Sequence, residues 1–569
     1  MKKITLGTPE KLVPSKFSKS FHYVEREIRY NTENIRSQCT ARGFLITLPL
    51  HEDEQIYGLG LQLKSFNHRG KKLTLRVNSD PVAATGDSHA PVPFFVSTKG
   101  YGVYVDTARF AEFYLGSSKP LESIQKSGTA DIATTEEALY KTRTEKETHI
   151  SVFIPAAKGA DLYIMEGETI TDVVAQYNLL SGGGPEVPEW ALSPLYRCYA
   201  KSNRDDVLSI AKYFKSSKIP VKTIGLEPGW QTKAYSCSFV WDSARFPEHK
   251  TMLSALLNMG FHINLWEHAF TNPDAPFFEK IKAYSGNYAT FNGCVPDFAT
   301  KEAVDIFSEY HEKLVDEGVD GFKLDECDSS DYTGSWSFPN HAEFPSGLDG
   351  EQYHALFGTL YMQAILKALK GRPILSEVRN VGALAAPYPF VLYSDLYDHA
   401  DFVRGCCTAG FSGLLWTPEV RKVASRTKEE FMRRLWTNVF SVQCLINGWN
   451  CEKIPWQELD CEKEVKAALI EREKLVPILK RAFDRYKTEG VPPMRALVSD
   501  YTNDPETYNI DNEYLLGDCL LVAPIIYGNQ KRSVYLPKGD FRDYFTKEPV
   551  KSGWFEVETD TIPVYEKLD

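Results

Sequence analysis

Between Leu192 and Trp449 the chain repeats one pattern eight times, a short apolar run of strand length followed by a polar or helically patterned stretch. The runs are 192–199 (LSPLYRCY), 222–230 (KTIGLEPGW), 260–268 (GFHINLWEH), 321–328 (GFKLDECD), 372–380 (RPILSEVRN), 390–396 (FVLYSDL), 411–419 (FSGLLWTPE) and 444–449 (CLINGW). Apolar strands separated by helices are the mark of a parallel sheet covered on both faces, and eight of them close into a (β/α)8 TIM barrel. The intervening helices have readable ends. Val207, Ile210, Ala211 and Phe214 share a face after Asn203 and stop at Pro220, while Val304, Phe307, Tyr310 and Leu314 form a stripe that ends at Gly318.

A barrel fills only part of 569 residues, so the flanks need cores of their own. Upstream, short alternating runs such as Phe44–Leu50, Tyr101–Asp106 and His149–Ile154 predict a β-sandwich, and SGGGPEVPEW at 181–190 breaks the pattern. Downstream of 490 strands return, notably Tyr514–Ile526 and Arg532–Gly539. The expected architecture is therefore multidomain: an N-terminal β-sandwich over 1–186, the barrel over 187–489 and a small C-terminal β domain over 490–569.

Chemistry in such a barrel gathers at the C-terminal ends of its strands. There the runs carry Glu227 and Trp230, then Trp266, Glu267 and His268, then Lys323, Asp325, Glu326 and Asp328. The later ones carry Glu377 and Arg379, Asp395 and Asp398, Trp416 and Glu419, and finally Asn447 and Trp449. So many carboxylates converging on one rim imply a metal or carbohydrate chemistry, because unpaired buried charge is costly. The 12 His contain no HExxH spacing, and DECDSSD from Asp325 lacks the glycine and closing glutamate of a calcium loop. The expectation is no metal and no cofactor. Two carboxyls about 5–5.5 Å apart suit retaining glycoside hydrolysis, one attacking carbon and the other handling the proton. Aromatic residues at 13% also suit sugar faces, although cores use them too.

The formal charge of −11 with no basic cluster argues against nucleic acid and anionic membranes as partners. Eleven scattered Cys without a CxxC pair, and no apolar stretch of signal-peptide or membrane-spanning length, predict reduced thiols and a cytoplasmic location. Homo-oligomer formation is left open.

These residues together resemble glycoside hydrolase family 31 along nearly the whole chain. IYGLG at 56–60 and PFFVSTKGYGVYVDT at 93–107 are similar to that family's sandwich, VPEWAL at 187–192 to its approach to the barrel, and DNEYLLGDCLLVAPII at 511–526 to its proximal β domain. The family's distal β domain has no counterpart in this sequence. GVDGFKLDECD at 318–328 resembles the nucleophile strand. The resemblance implies Asp325 as covalent nucleophile and, counting on from Arg379 through PYPFVLYSD, Asp395 as general acid/base, with Asp398 as the close competitor. It further implies Tyr199, Trp266, Lys323, Asp328 and Arg379 in the substrate-binding shell, which the strand-end residues Glu227, Trp230, Glu267, Trp416 and Asn447 are expected to complete, with core capping as the alternative for the tryptophans and a supporting place behind the sugar site for Glu227 and Glu267. Glu227, Glu267 and Asn447 depart from glucose- and xylose-specific members, which points to an α-galactosidase acting on oligosaccharides. An α-glucosidase, an α-xylosidase, a transglycosylase and an inactive sugar-binding homologue stand as alternatives. The loop Gly86–His89 is expected to be an ordinary surface loop, with a sandwich loop reaching over the pocket as the alternative.

Overall fold

The computed structural model describes residues 1–79, 81–118, 148–330, 336–395, 398–422 and 427–568. Asp331, the last acid of DECDSSD, lies outside the described residues. The N-terminal sandwich consists of two five-stranded antiparallel sheets. One runs Lys2–Thr8, Lys158–Glu166, Tyr101–Asp106, Phe94–Ser97, Ile56–Gly58; the other runs Arg36–Cys39, Gly43–Pro49, His149–Pro155, Glu112–Leu115, Lys71–Thr74. Strict alternation decides which face is buried: Ile150, Val152 and Ile154 point inward against Phe44, Ile46 and Leu48 of the neighbouring strand. The helix Ile170–Leu180, opened by a Thr169 capping box, ties this sandwich to the barrel. Its Tyr177 ring stacks on Phe94 at 4.1 Å and its hydroxyl accepts from the Leu384 amide at 2.8 Å.

Eight parallel strands follow: β1 (Leu195–Arg197), β2 (Thr223–Leu226), β3 (His262–Glu267), β4 (Gly321–Leu324), β5 (Ser376–Val378), β6 (Phe390–Leu392), β7 (Val420–Arg421) and β8 (Leu445–Asn447). They pair in the order β6-β5-β4-β3-β2-β1-β8-β7. The seventh differs from the predicted run. Ala409–Ser412 is a tight helical turn closed by left-handed Gly413, so the strand starts later and is divided. Its first part closes the barrel onto β6, with the Leu392 amide donating to Leu415 O at 2.9 Å and the Thr417 amide donating to Leu392 O at 3.0 Å. Its second part, β7, pairs with Ile446 and Asn447.

The helix Arg204–Ser217 begins at an Asn203 capping box and stops at left-handed Lys218. In the helix Lys301–Asp316 the buried face is turned from the predicted stripe to include Ala303 and His311, since His311 meets an acid at the end of β3. Between β5 and β6 the chain crosses without a helix. After β8, Glu462–Glu489 spans 28 residues and ends at left-handed Gly490. The C-terminal domain is an antiparallel six-stranded sheet with a separate pair, Lys531–Leu536 and Gly553–Glu558, over its own core of Leu515, Leu521, Val534, Leu536 and Phe541. Among the described residues no helix is long and apolar enough to cross a membrane.

Candidate active site

Asp325 is the first residue beyond β4, so its carboxylate emerges where the strand meets the mouth. Trp266, inward-facing on β3, donates its indole N–H to Asp325 Oδ2 at 2.6 Å, and the Glu326 amide donates to Oδ1 at 2.9 Å. Arg379, just past β5, places Nε 3.8 Å from Asp325 Oδ1 and Nη1 3.1 Å from Asp395 Oδ2. Asp395, three residues past β6, has 42% of its side chain exposed. The two carboxyls thus share one guanidinium, which keeps their nearest oxygens within about 9 Å of each other, a ceiling that admits the close pair of a retaining glycosidase and the wider pair of an inverting one alike. Asp398 has a different task. It caps the helix His399–Thr408, its Oδ1 accepting from the Asp401 amide at 2.9 Å.

Electrostatics sort the acids. Burial pushes the Asp325 carboxyl upward, but Arg379, Lys323 and the Trp266 N–H outweigh it and hold the group down to about 2, ionised at any ordinary pH. Lys323, on β4 and 2% exposed, lies 2.5 Å from Glu419 Oε1 and 3.4 Å from Glu227 Oε1, with Nζ 4.5 Å from the centre of the Tyr393 ring. Glu227 also accepts from Arg197 Nε, and Arg197 reaches Glu377 at 3.3 Å. Burial works against the Glu227 carboxylate, yet Lys323 and Arg197 prevail and lower its pKa. For Glu419 and Glu377 burial wins and the pKa rises. At the outer end Glu419 holds Arg421 at 2.8 Å, and Arg421 in turn contacts Asp395. Acidic and basic side chains therefore alternate from the rim into the barrel, Asp395, Arg421, Glu419, Lys323, Glu227, Arg197 and Glu377, each acid with a basic neighbour that offsets its burial.

Asp328 is 1% exposed, accepting from Arg379 Nε at 3.0 Å and lying 2.5 Å from His89 Nδ1. His89 corrects the expectation for its loop. Rather than lying on the surface, Gly86–His89 turns inward, with Gly86 at φ +99 against the Thr74 backbone, and brings a fully buried imidazole from the sandwich to the loop after β4.

Several expected sugar contacts are corrected. Glu267 alternates with Trp266 on β3 and so faces outward, where it is fully buried with the Tyr361 hydroxyl at 2.7 Å and His311 Nε2 at 3.0 Å. Trp230 is 1% exposed, its N–H donating to Trp266 O at 2.6 Å, and Trp416 is fully buried, donating to Phe402 O at 3.2 Å; neither has a ring face for a ligand. Asn447 is spent within the protein, its Nδ2 on Glu419 at 2.7 Å and its Oδ1 on the Trp449 amide at 2.8 Å. Tyr199 is half-buried past β1 and lines a side groove with Tyr213 and Cys451.

Sequence reasoning missed Arg197, Arg421 and Tyr235. Arg197 had a signal, since a charge inside the apolar run LSPLYRCY must find buried partners. Arg421 lies two residues beyond the predicted seventh run. Tyr235, 55% exposed, reaches the site by packing on Trp266 at 5.5 Å from a loop with no motif.

Family models match in three parts: the glycosyl hydrolase 31 N-terminal galactose mutarotase-like domain over 16–113, the glycosyl hydrolases family 31 TIM-barrel domain over 184–482 and the family 31 C-terminal domain over 490–568. An alpha-glucosidase 2 of Bacillus thermoamyloliquefaciens is 24% identical over 91% of this chain and 67% of its own length. An alpha-xylosidase of Saccharolobus solfataricus is 25% identical over 91% of this chain and 70% of its own. This chain thus spans about two thirds of these relatives. The Flavobacterium johnsoniae GH31 dextranase complexed with glucose superposes with a TM-score of 0.80 at 22% identity, over 95% of this chain and 68% of that one.

Proposed function

Because the chain belongs to glycoside hydrolase family 31, we propose that it is a retaining exo-α-glycosidase with Asp325 as nucleophile and Asp395 as general acid/base. One observation carries this assignment: carboxyls from the ends of β4 and β6 meet on the Arg379 guanidinium at the barrel mouth. In the first half-reaction an Asp325 oxygen bonds to the anomeric carbon, the bond from that carbon to the leaving oxygen breaks, and the Asp395 proton passes to that oxygen. In the second, the Asp395 carboxylate takes a proton from water, whose oxygen displaces Asp325 and restores the α configuration. Asp325 needs no activation beyond its environment, since its depressed pKa keeps it charged.

For the sugar we favour an α-glucoside or α-xyloside at the non-reducing end of a short oligosaccharide. The names of the relatives support it. So does the loss of two supports for galactose, with Glu267 turned toward the helices and Asn447 bound to Glu419. The α-galactoside assignment keeps one support, Glu227 at the end of β2. Nitrophenyl α-glucoside, α-xyloside and α-galactoside, assayed side by side with proton NMR of the first anomer released, test both levels. Turnover of the glucoside or xyloside with the α anomer first is expected. A β anomer first ends the double displacement, and preference for the galactoside ends the choice of sugar. Product analysis with added acceptor sugar separates hydrolysis from transglycosylation.

A further inference from the structure

Two exposed aromatic residues near the mouth, Tyr235 and Trp449, divide between the two carboxyls. Tyr235 belongs to the nucleophile's side, because it packs on Trp266 and Trp266 donates to Asp325. Trp449 belongs to the other. Its ring is 37% exposed and lies 5.8 Å from the Arg421 guanidinium, which also contacts Asp395. The position is fixed by the backbone: the Trp449 amide donates to Asn447 Oδ1 at 2.8 Å, and its carbonyl accepts from the Ala200 amide at 2.7 Å. Arg421 is itself pinned by Glu419 at 2.8 Å, so the indole and the acid/base are held one guanidinium apart.

A general acid must sit within hydrogen-bond reach of the oxygen it protonates. The departing sugar therefore begins beside Asp395, one guanidinium away from the Trp449 ring, and an indole offers an apolar face to the C–H side of a pyranose. Across the Ala200 bond from Trp449 begins a groove of about 490 Å³ lined by Tyr199, Asp206, Ser209, Cys451 and Glu452, mixed polar and aromatic as a carbohydrate site requires. We propose that Trp449 is the platform for the leaving-group sugar and that the Tyr199 groove receives the units beyond it. The assignment deepens the proposed α-glycosidase and rests on it. Arg421 acts as a positioning residue, keeping Asp395 aligned over that platform.

Glycosyl fluorides isolate this site, because fluoride leaves without a sugar ring to stack. The test compares kcat/KM on maltose or isomaltose, whichever is faster, with kcat/KM on α-glucosyl fluoride. For Trp449→Ala the ratio of disaccharide to fluoride falls about tenfold or more, and Trp449→Phe, which keeps a ring face, recovers most of it. A ratio within twofold of wild type in Trp449→Ala overturns the platform while leaving the reaction standing. If the xyloside is the preferred substrate, the same ratio is read with an α-xylosyl disaccharide and α-xylosyl fluoride, and a wild-type enzyme inert toward both series overturns the proposed α-glycosidase and the platform with it.

Discussion

Replacing Arg379 with Gln keeps a polar side chain of moderate length but removes the charge that three carboxyls share. Its Nε lies 3.0 Å from Asp328 and 3.8 Å from Asp325, and its Nη1 lies 3.1 Å from Asp395. Holding Asp325 at about 2 against an ordinary 3.8 corresponds to about 2 kcal/mol of native stability at neutral pH, and Arg379 is the largest favourable contributor. Asp328, 1% exposed, loses a charged donor and keeps His89; stranding it raises the total cost to about 3–5 kcal/mol. The sign in pH follows from the depressed value. Stability contributed by Asp325 is fully present above 3.8 and drains away as the pH falls toward 2, so the gap between wild type and Arg379→Gln is widest near neutrality and narrows in acid. Urea unfolding at pH 7, 5 and 3 reads the gap directly, with about 1 kcal/mol of narrowing expected by pH 3. Equal stability at pH 7, or a gap that does not narrow in acid, would refute this account of the cluster.

Other outcomes follow from the same geometry. Asp395→Ala lowers kcat/KM on disaccharides by about 10²–10⁴ while azide restores turnover of a nitrophenyl glycoside, whereas Asp398→Ala costs about 1 kcal/mol of stability through its lost helix cap and leaves the chemistry in place; the reverse pattern would exchange their roles. Glu267→Ala destabilises the fold by about 3 kcal/mol by stranding buried Tyr361 and His311, with KM on the preferred substrate within twofold of wild type; a tenfold rise in KM would return Glu267 to the sugar site. With Asp325 held at about 2, the nucleophile sets no acid limb in the kcat/KM profile above about pH 3. A limb near pH 4–5 that disappears in Asp325→Glu would contradict that.

The barrel is legible because eight apolar runs have one geometric solution, whereas the assignment of Asp325 rests on the resemblance of GVDGFKLDECD at 318–328 to the family's nucleophile strand and not on its place at a strand end, which several other acids share. The shell around it is harder to read. A residue type and a strand end do not say which way a side chain points, and a shift of one position turns Trp266 toward Asp325 and Glu267 toward the helices. Trp230 and Trp416 share the composition of a sugar site with Trp449, but burial separates them, and burial depends on contacts made by Trp266 and Phe402 rather than on local pattern. The alternating acids and bases from Asp395 to Glu377 join six of the eight strands or the loops just beyond them, so they cannot be paired from spacing alone. His89 comes from another domain altogether, in a loop whose polar residues read as surface until the fold carries them inward.

Trapping the covalent intermediate reaches the catalytic assignment without passing through any variant. Incubation with 5-fluoro-α-glucosyl fluoride, followed by proteolysis and peptide mass spectrometry, should find the sugar as an ester on Asp325. A label on any other carboxylate, or steady turnover of the compound's natural counterpart with no ester ever captured, would contradict it.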